Sequence, residues 1–252
     1  MLNIMLCGCG GRMGAALTAA AQAAGDRVVA GVDVNPAADS TYPVFTSPDE
    51  FTGHADVIVD FSHHSALSSL LAYAKRTVTP IVVCTTGHSE EQLLEMKAAA
   101  KEIPVFFSRN MSLGINLLMA LCRRAAATLG LDFDVEIIEK HHNKKLDAPS
   151  GTALMLADCI KETDESAPRT YVYDRQKERR ARARGEIGIH AVRGGTIVGE
   201  HDVLFAGKDE VITLSHSAAS REVFATGAMR AAHFMKGKPA GFYNMDDVLN
   251  EL

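Results

Sequence analysis

The stretch "LNIMLCGCGGRMGAALTAAAQAAG", residues 2–25, decides the fold. Residues 2–7 are apolar without alternation, the pattern of a parallel strand covered on both faces. Gly8, Gly11 and Gly14 follow, spaced G-x-x-G-x-x-G, with an extra glycine at 10. The Ala-rich run after them predicts a helix, with Gly25 as its C-cap. A backbone stripped of Cβ atoms can approach a pyrophosphate closely, and the helix start offers free N–H groups and a positive dipole end. Such a loop is weak evidence alone; between an N-terminal strand and a helix its weight rises.

Downstream, "RVVAGVD" (27–33) predicts a second strand, and Asp33 ends it 19 residues after Gly14. An acid there can accept hydrogen bonds from adenosine ribose hydroxyls, the competing reading being a solvated strand-end aspartate. No Lys or Arg occurs between Arg27 and Lys75. Nothing local therefore neutralises a 2′-phosphate, and Asp33 would repel one, so NADH is expected to be used at least as well as NADPH.

Residues 56–62, 80–84 and 103–108 are further short β-rich runs, with helical patterns at about 64–76 and 89–101 between them. Strand and helix alternating in this way predict a Rossmann-like, doubly wound α/β sheet with right-handed crossovers. "DFSHHSA" and "CTTGHS" stand at strand C-terminal ends, where such a sheet holds its ligand. Thr85, Thr86 and Gly87 offer hydroxyls and close backbone to a nicotinamide or ribose; Ser62 and Ser89 read equally as helix N-caps. His63 and His64, neighbours on a loop, make a poor metal pair.

After about residue 110 the rhythm changes. Residues 112–130 predict one long helix, then strand-like runs cover 133–141, 186–192, 196–206 and 210–218. Arg193-Gly194-Gly195 reads as a tight turn. These runs predict a second, α+β domain with an antiparallel or mixed sheet. A last helix over about 221–236 and the tail "GFYNMDDVLNEL" could pack on either domain.

The composition is that of a globular protein: 252 residues, 47% hydrophobic, with a net charge of −5. That charge gives no reason to expect a nucleic-acid partner. No apolar run approaches the ~20 residues of a membrane helix, and the N-terminus does not read as a signal peptide. Five cysteines, an odd number, make no disulfide framework, and Cys7-x-Cys9 lacks the second pair that zinc would want. A reduced, cytoplasmic protein is expected. The segment 169–184 carries seven basic residues against two acids. It reads first as a solvated, mobile loop, second as a device that steers anions, and third as a nucleic-acid patch, which its lack of a binding motif disfavours.

The densest chemistry lies in "VEIIEKHHNKKLDAPSGTAL", residues 135–154. The first five residues alternate, so Val135, Ile137 and Glu139 fall on one face and Glu136 and Ile138 on the other. The strand delivers His141, His142, Lys144 and Lys145, and "DAPSGTAL" then starts a helix, with Pro149 suited to its first turn. Ser150, Gly151 and Thr152 combine unpaired N–H groups with hydroxyls, a cradle for a carboxylate. A histidine here can act as an acid or orient a substrate, and Lys145 supplies a positive charge or a proton. The lysines would repel zinc. The bland alternative is a polar loop with incidental basic residues.

Six segments, "GCGGRMG", "CTTG", "NMSLGINLL", "EIIEKHHNKKLDAPSGTAL", "GEIGIHAVRGGTIVGEHDVLF" and "AASREVFATGAMRAA", together closely resemble the 4-hydroxy-tetrahydrodipicolinate (dihydrodipicolinate) reductase family nearly end to end. The resemblance implies an oxidoreductase that makes tetrahydrodipicolinate with NADH or NADPH and no metal, in diaminopimelate and lysine biosynthesis. It implies catalytic roles for His141 and Lys145, and contacts to a small cyclic dicarboxylate from His142, Ser150, Gly151 and Thr152. On the cofactor side it implies Gly8, Gly11, Arg12, Met13, Gly14, Asp33, Thr85, Thr86, Gly87, Asn110 and Met111. The basic residue often found after the family's acid is replaced here by Val34 and Asn35, in line with the charge argument for NADH. The implied domains are 1–111 with 222–252 for the dinucleotide, and 112–221, an open mixed sheet, for substrate and a homotetramer, with Arg221 at the hinge. Rival readings are another two-domain nicotinamide dehydrogenase of amino-acid metabolism, which leaves the 141–152 block unexplained, and a non-enzymatic NAD(H) sensor, which would want a partner module.

Overall fold

The computed structural model describes residues 1–35, 40–163, 168–177 and 179–251. In chain order the first elements are β1 (Asn3–Cys7), α1 (Arg12–Ala23), β2 (Arg27–Val32), β3 (Val44–Phe45), β4 (Val57–Asp60), α2 (Leu67–Thr77), β5 (Ile81–Val83), α3 (Glu90–Ala99) and β6 (Pro104–Phe107). They continue with α4 (Leu113–Leu129), β7 (Asp134–His141), α5 (Gly151–Lys161), β8 (Thr170–Val172), β9 (Glu186–Arg193), β10 (Gly199–Ala206) and β11 (Val211–Ala218). The chain closes with α6 (Glu222–Met235), β12 (Gly241–Tyr243) and α7 (Met245–Asn250). Two compact units result, one of Met1–Leu113 with Arg221–Leu252 and one of Gly114–Ser220.

The first unit is built on a seven-stranded sheet in the order β12-β6-β5-β4-β1-β2-β3, and its pairings are parallel. The sequence patterns explain why both faces are covered. Alternate residues of β1 point opposite ways, so Ile4 and Leu6 join Leu17, Ala228 and Met235 in one core. Met5 and Cys7 join Leu70, Tyr73 and Met96 in the other. The tail, which local pattern leaves open and the family resemblance assigns to the dinucleotide domain, lies here: β12 adds to β6 at the sheet edge. Gly25, at φ +76°, lies one residue beyond the C-cap Ala24 of α1. Ser89 caps α3 in a reciprocal box with Gln92. Ser62 caps nothing; its N–H and hydroxyl both go to Asp60, and a short 3-10 turn at 64–66 precedes α2.

The second unit holds a five-stranded mixed sheet, β11-β10-β7-β9-β8. One face carries Val135, Ile137, Ile187, Ile189, Val203 and Phe205 against α4 and α5. Arg193-Gly194-Gly195 does not close a hairpin. β10 runs antiparallel and β9 parallel to β7, which lies between them. The turn instead crosses the end of β7, where Gly194 N–H donates to the His141 carbonyl at 2.9 Å.

The basic segment differs from the free loop its composition suggests. Residues 170–172 form β8 beside β9, and four of the arginines after it are paired. Arg175 bridges Glu136 and Glu186, Arg180 meets Glu186, Arg182 meets Asp134 and Glu136, and Arg184 meets Asp132. Acids on β7 and β9 attract the chain because strand backbones hold their carboxylates at fixed spacing. Glu178 lies outside the described residues. Among those described, no helix is long and apolar enough to cross a membrane.

Candidate active site

In the first unit the strand order reverses between β1 and β4, and the glycine loop lies at the C-terminal ends of these strands. Gly8 has φ +77°, and a Cβ there would stand 2.5 Å from the Phe61 carbonyl oxygen. A Cβ on Gly14 would stand 2.2 Å from the Cys9 carbonyl oxygen, so the helix start can press on the loop only without a side chain. No side chain caps α1, and its first turn carries no acid. The exposed Gly11 and Arg12 therefore border amide groups suited to a phosphate, while Met13 turns half-buried into the core. A cleft of about 520 Å³ runs past Gly8, Gly11, Asp33, Phe61, Ser62 and His63. A dinucleotide fits these features: glycine where side chains would clash, an uncapped helix start, and an acid at the end of β2.

Asp33 accepts from Gly10 N–H at 2.9 Å and from Asn35 N–H at 2.9 Å, which aims its carboxylate across the glycine loop. Thr85 has its hydroxyl engaged within the protein. It is buried, and its hydroxyl donates to Asp60 at 2.9 Å, so only its backbone and the exposed Thr86 and Gly87 remain for a ligand. Asp60 is fully buried, and burial pushes its carboxyl up despite bonds from Ser62 and Thr85. It ties the ends of β4 and β5 together. Asn110 accepts from Ser112 N–H at 2.9 Å, and the Met111 side chain is buried in the core.

The second unit gathers the 141–152 residues around a carboxylate. β7 buries alternate side chains, Val135, Ile137, Glu139 and His141. Glu139 is 0% exposed, an acid where a hydrophobe would be expected, and it accepts four hydrogen bonds. Its Oε2 lies 2.6 Å from His141 Nδ1 and accepts from Arg193 Nη1 at 2.8 Å. Its Oε1 accepts from Arg193 Nη2 at 2.7 Å and from Ser150 N–H at 3.0 Å. Burial alone would push this carboxyl up; the bonds from Arg193, His141 and Ser150 outweigh it and hold the group below the ordinary glutamate range.

Ser150 is the N-cap of α5, accepting from Ala153 N–H, and its hydroxyl also lies 3.1 Å from His201 Nε2. Pro149 accordingly precedes the cap instead of occupying the first helical turn. Gly151 is exposed, with open space where a Cβ would stand, and Thr152 is half-buried. Lys145 pairs with Asp147 at 2.9 Å, and that bond holds the Asp147 carboxyl down. His142 and Lys145 are half-buried, whereas His141 is 9% exposed, its ring edge-on to His201 at 5.3 Å. Burial pushes the His201 imidazole down to about 4, with the neighbouring His141 adding to the effect.

Residues 2–111 match the family profile "Dihydrodipicolinate reductase, N-terminus", and residues 114–249 match "Dihydrodipicolinate reductase, C-terminus". The chain belongs to the dihydrodipicolinate reductase family. It is 49% identical over 253 residues to the 4-hydroxy-tetrahydrodipicolinate reductase of Clostridium tetani, covering 99% of this chain and 98% of that one. It is 50% identical over 252 residues to the enzyme of the same name from Caldanaerobacter subterraneus, covering 100% and 99%. Among solved structures, the dipicolinate-bound dihydrodipicolinate reductase from Paenisporosarcina sp. TG-14 superposes with a TM-score of 0.82 at 26% identity, covering 97% of each chain.

Against the residues that resemblance to dihydrodipicolinate reductases named, four functional candidates escaped the sequence: Asp60, Glu139, Arg193 and His201. Glu139 left the clearest trace, since alternation put it on the same face as Val135 and Ile137, where an ionised group needs partners. Arg193 lies 54 residues from Glu139 along the chain, and nothing local marks it as that partner.

Proposed function

We propose that this chain reduces 4-hydroxy-tetrahydrodipicolinate to tetrahydrodipicolinate with NADH or NADPH and releases water, in the diaminopimelate route to lysine. The observation that carries this reading is the convergence of His141, Lys145 and the start of α5 at the end of one strand. Residues 1–111 with 222–252 serve the dinucleotide and residues 112–221 the substrate. Bound NADH or NADPH supplies the hydride, which ends on ring carbon C4 as the 4-hydroxyl leaves as water. His141 supplies the accompanying proton. Its Nδ1 is engaged by Glu139, so the imidazole takes up a proton from solvent on Nε2 and passes it on from that atom. Lys145 and His142 attract one substrate carboxylate. The Ser150 hydroxyl and the Gly151 and Thr152 amides, at the positive end of α5, receive the other.

Asp33 favours the ribose hydroxyls of NADH over a 2′-phosphate, with no basic residue at Val34 or Asn35 to offset it. The open face of the second sheet, with Ile138, Val192, Leu204 and Val211 along it, is the surface through which four copies associate.

The test follows nicotinamide absorbance while the preceding synthase generates substrate from pyruvate and aspartate semialdehyde. Oxidation that depends on the synthase is expected, with kcat/KM for NADH at least equal to that for NADPH. His141→Gln should lower kcat by about 10²–10⁴-fold, the usual worth of a general acid. Lys145→Ala should both raise KM and lower kcat. Wild-type kcat in either variant would sink the assignment.

A further inference from the structure

The four bonds on Glu139 join three separate pieces of chain. His141 stands at the end of β7, Ser150 opens α5, and Arg193 ends β9. Arg193 also donates from Nη2 to the Asp147 carbonyl at 2.8 Å, gripping the loop that carries Lys145 and the ion pair between Lys145 and Asp147. One buried pair therefore touches the imidazole, the helix start and the lysine loop. On the far side of the ring, a Cβ at Gly199 would stand 3.1 Å from His141 Nε2, so a side chain there would crowd that nitrogen.

We infer that the Glu139–Arg193 pair is the positioning device of this site: it fixes the His141 tautomer with its proton on Nδ1 and directs Nε2 towards the reacting atoms. The inference rests on the reductase reading for the identity of the reaction, and its geometry stands apart from it. A carboxylate whose four lone-pair directions are filled by Arg193, Ser150 and His141 accepts only, so the shared proton belongs to the imidazole. Arg193 keeps the acid ionised in a dry setting, and its bidentate fork fixes the carboxylate plane against which the ring is aligned. A monodentate partner would leave that plane free to rotate. Glu139 and Arg193 act through His141 and Lys145 and are positioning residues.

The experiment compares the full-length wild type with Glu139→Gln, Glu139→Asp and Arg193→Lys. Urea unfolding curves check that each variant folds, and calorimetric NADH binding checks that the other unit, which holds the dinucleotide residues, is unaffected. Two-bond 1H–15N spectra of labelled histidine report the His141 tautomer without any turnover. The wild type is expected to carry its proton on Nδ1. Glu139→Gln should lose that signature and on the order of 10²-fold in kcat, with a smaller change in substrate KM and unchanged NADH affinity. Glu139→Asp should recover part of both. Should Glu139→Gln fail to fold, Arg193→Lys keeps the charge and loses the fork; it should retain the Nδ1 proton and still lose at least tenfold in kcat. A folded Glu139→Gln enzyme with the wild-type tautomer, or with kcat within twofold of wild type, overturns the inference, as does wild-type kcat in Arg193→Lys when that variant is the one read. A wild type that oxidises no cofactor overturns the reductase reading instead, and the tautomer comparison still decides the positioning role.

Discussion

Burial disfavours the charged form of an imidazole, and His201 shows the consequence. Its imidazole is 4% exposed and bonded through Nε2 to Ser150, with no partner for Nδ1 among the described residues. The folded state keeps it neutral down to about pH 4, whereas an unfolded chain protonates it near 6.5. The unfolded state therefore binds the extra proton as pH falls, so the associated stability is complete above about pH 6.5 and drains away towards pH 4. The difference corresponds to about 3 kcal/mol. Urea titrations should show wild-type stability falling over that window, and His201→Asn should fall less; an equal slope in both would place the pH dependence elsewhere. At this scale His141, Lys145 and Ser150–Thr152 were legible because imidazole, ammonium and a helix start crowd one short stretch. Their orientation was not, because it depends on Arg193.

At the scale of the element, close approach explains what composition leaves open. α6 presses Gly227 against the chain that follows β6, where a Cβ would stand only 1.6 Å from the Met111 carbonyl oxygen. A backbone atom cannot swing aside, so the helix would have to shift. Gly227→Ala should destabilise the first unit by about 1–3 kcal/mol, the usual cost of overpacking, seen as a lower urea midpoint. An unchanged midpoint would mean that α6 tolerates displacement. Helices and strands themselves were readable from periodicity and punctuation, down to the Ser89 cap and Gly25. The partners of strands were not. The glycine turn after Arg193 did not say how its flanking strands pair; β7 lies between them, the alternating strand with one apolar face that pairs with both β9 and β10.

Over the whole molecule, local charge is a poor guide to field. The segment 169–184 has an excess of positive charge in sequence, yet Arg175, Arg180, Arg182 and Arg184 each lie against an acid of the same unit. Bonds from Arg175 and Arg180 push the Glu186 carboxyl down to about 2. Pairing of this kind cancels the far field that would steer an anionic substrate. Arg175→Ala with Arg182→Ala should therefore leave the salt dependence of kcat/KM unchanged while lowering Tm. A flatter salt dependence in that variant would restore steering as a function of the segment.

By itself the sequence determined the Rossmann-like unit, because strand, glycine loop, helix and acid follow one another within 33 residues and each is a local consequence of side-chain chemistry. It also determined where the reactive groups concentrate, since the 141–152 block is contiguous. Only the tertiary structure decided that the tail adds an edge strand to the first sheet, that arginines of the basic segment pair with acids of β7 and β9, and that Arg193 is the partner of Glu139. Each of these rests on residues far apart in the chain meeting in space, and periodicity carries no information about such pairs.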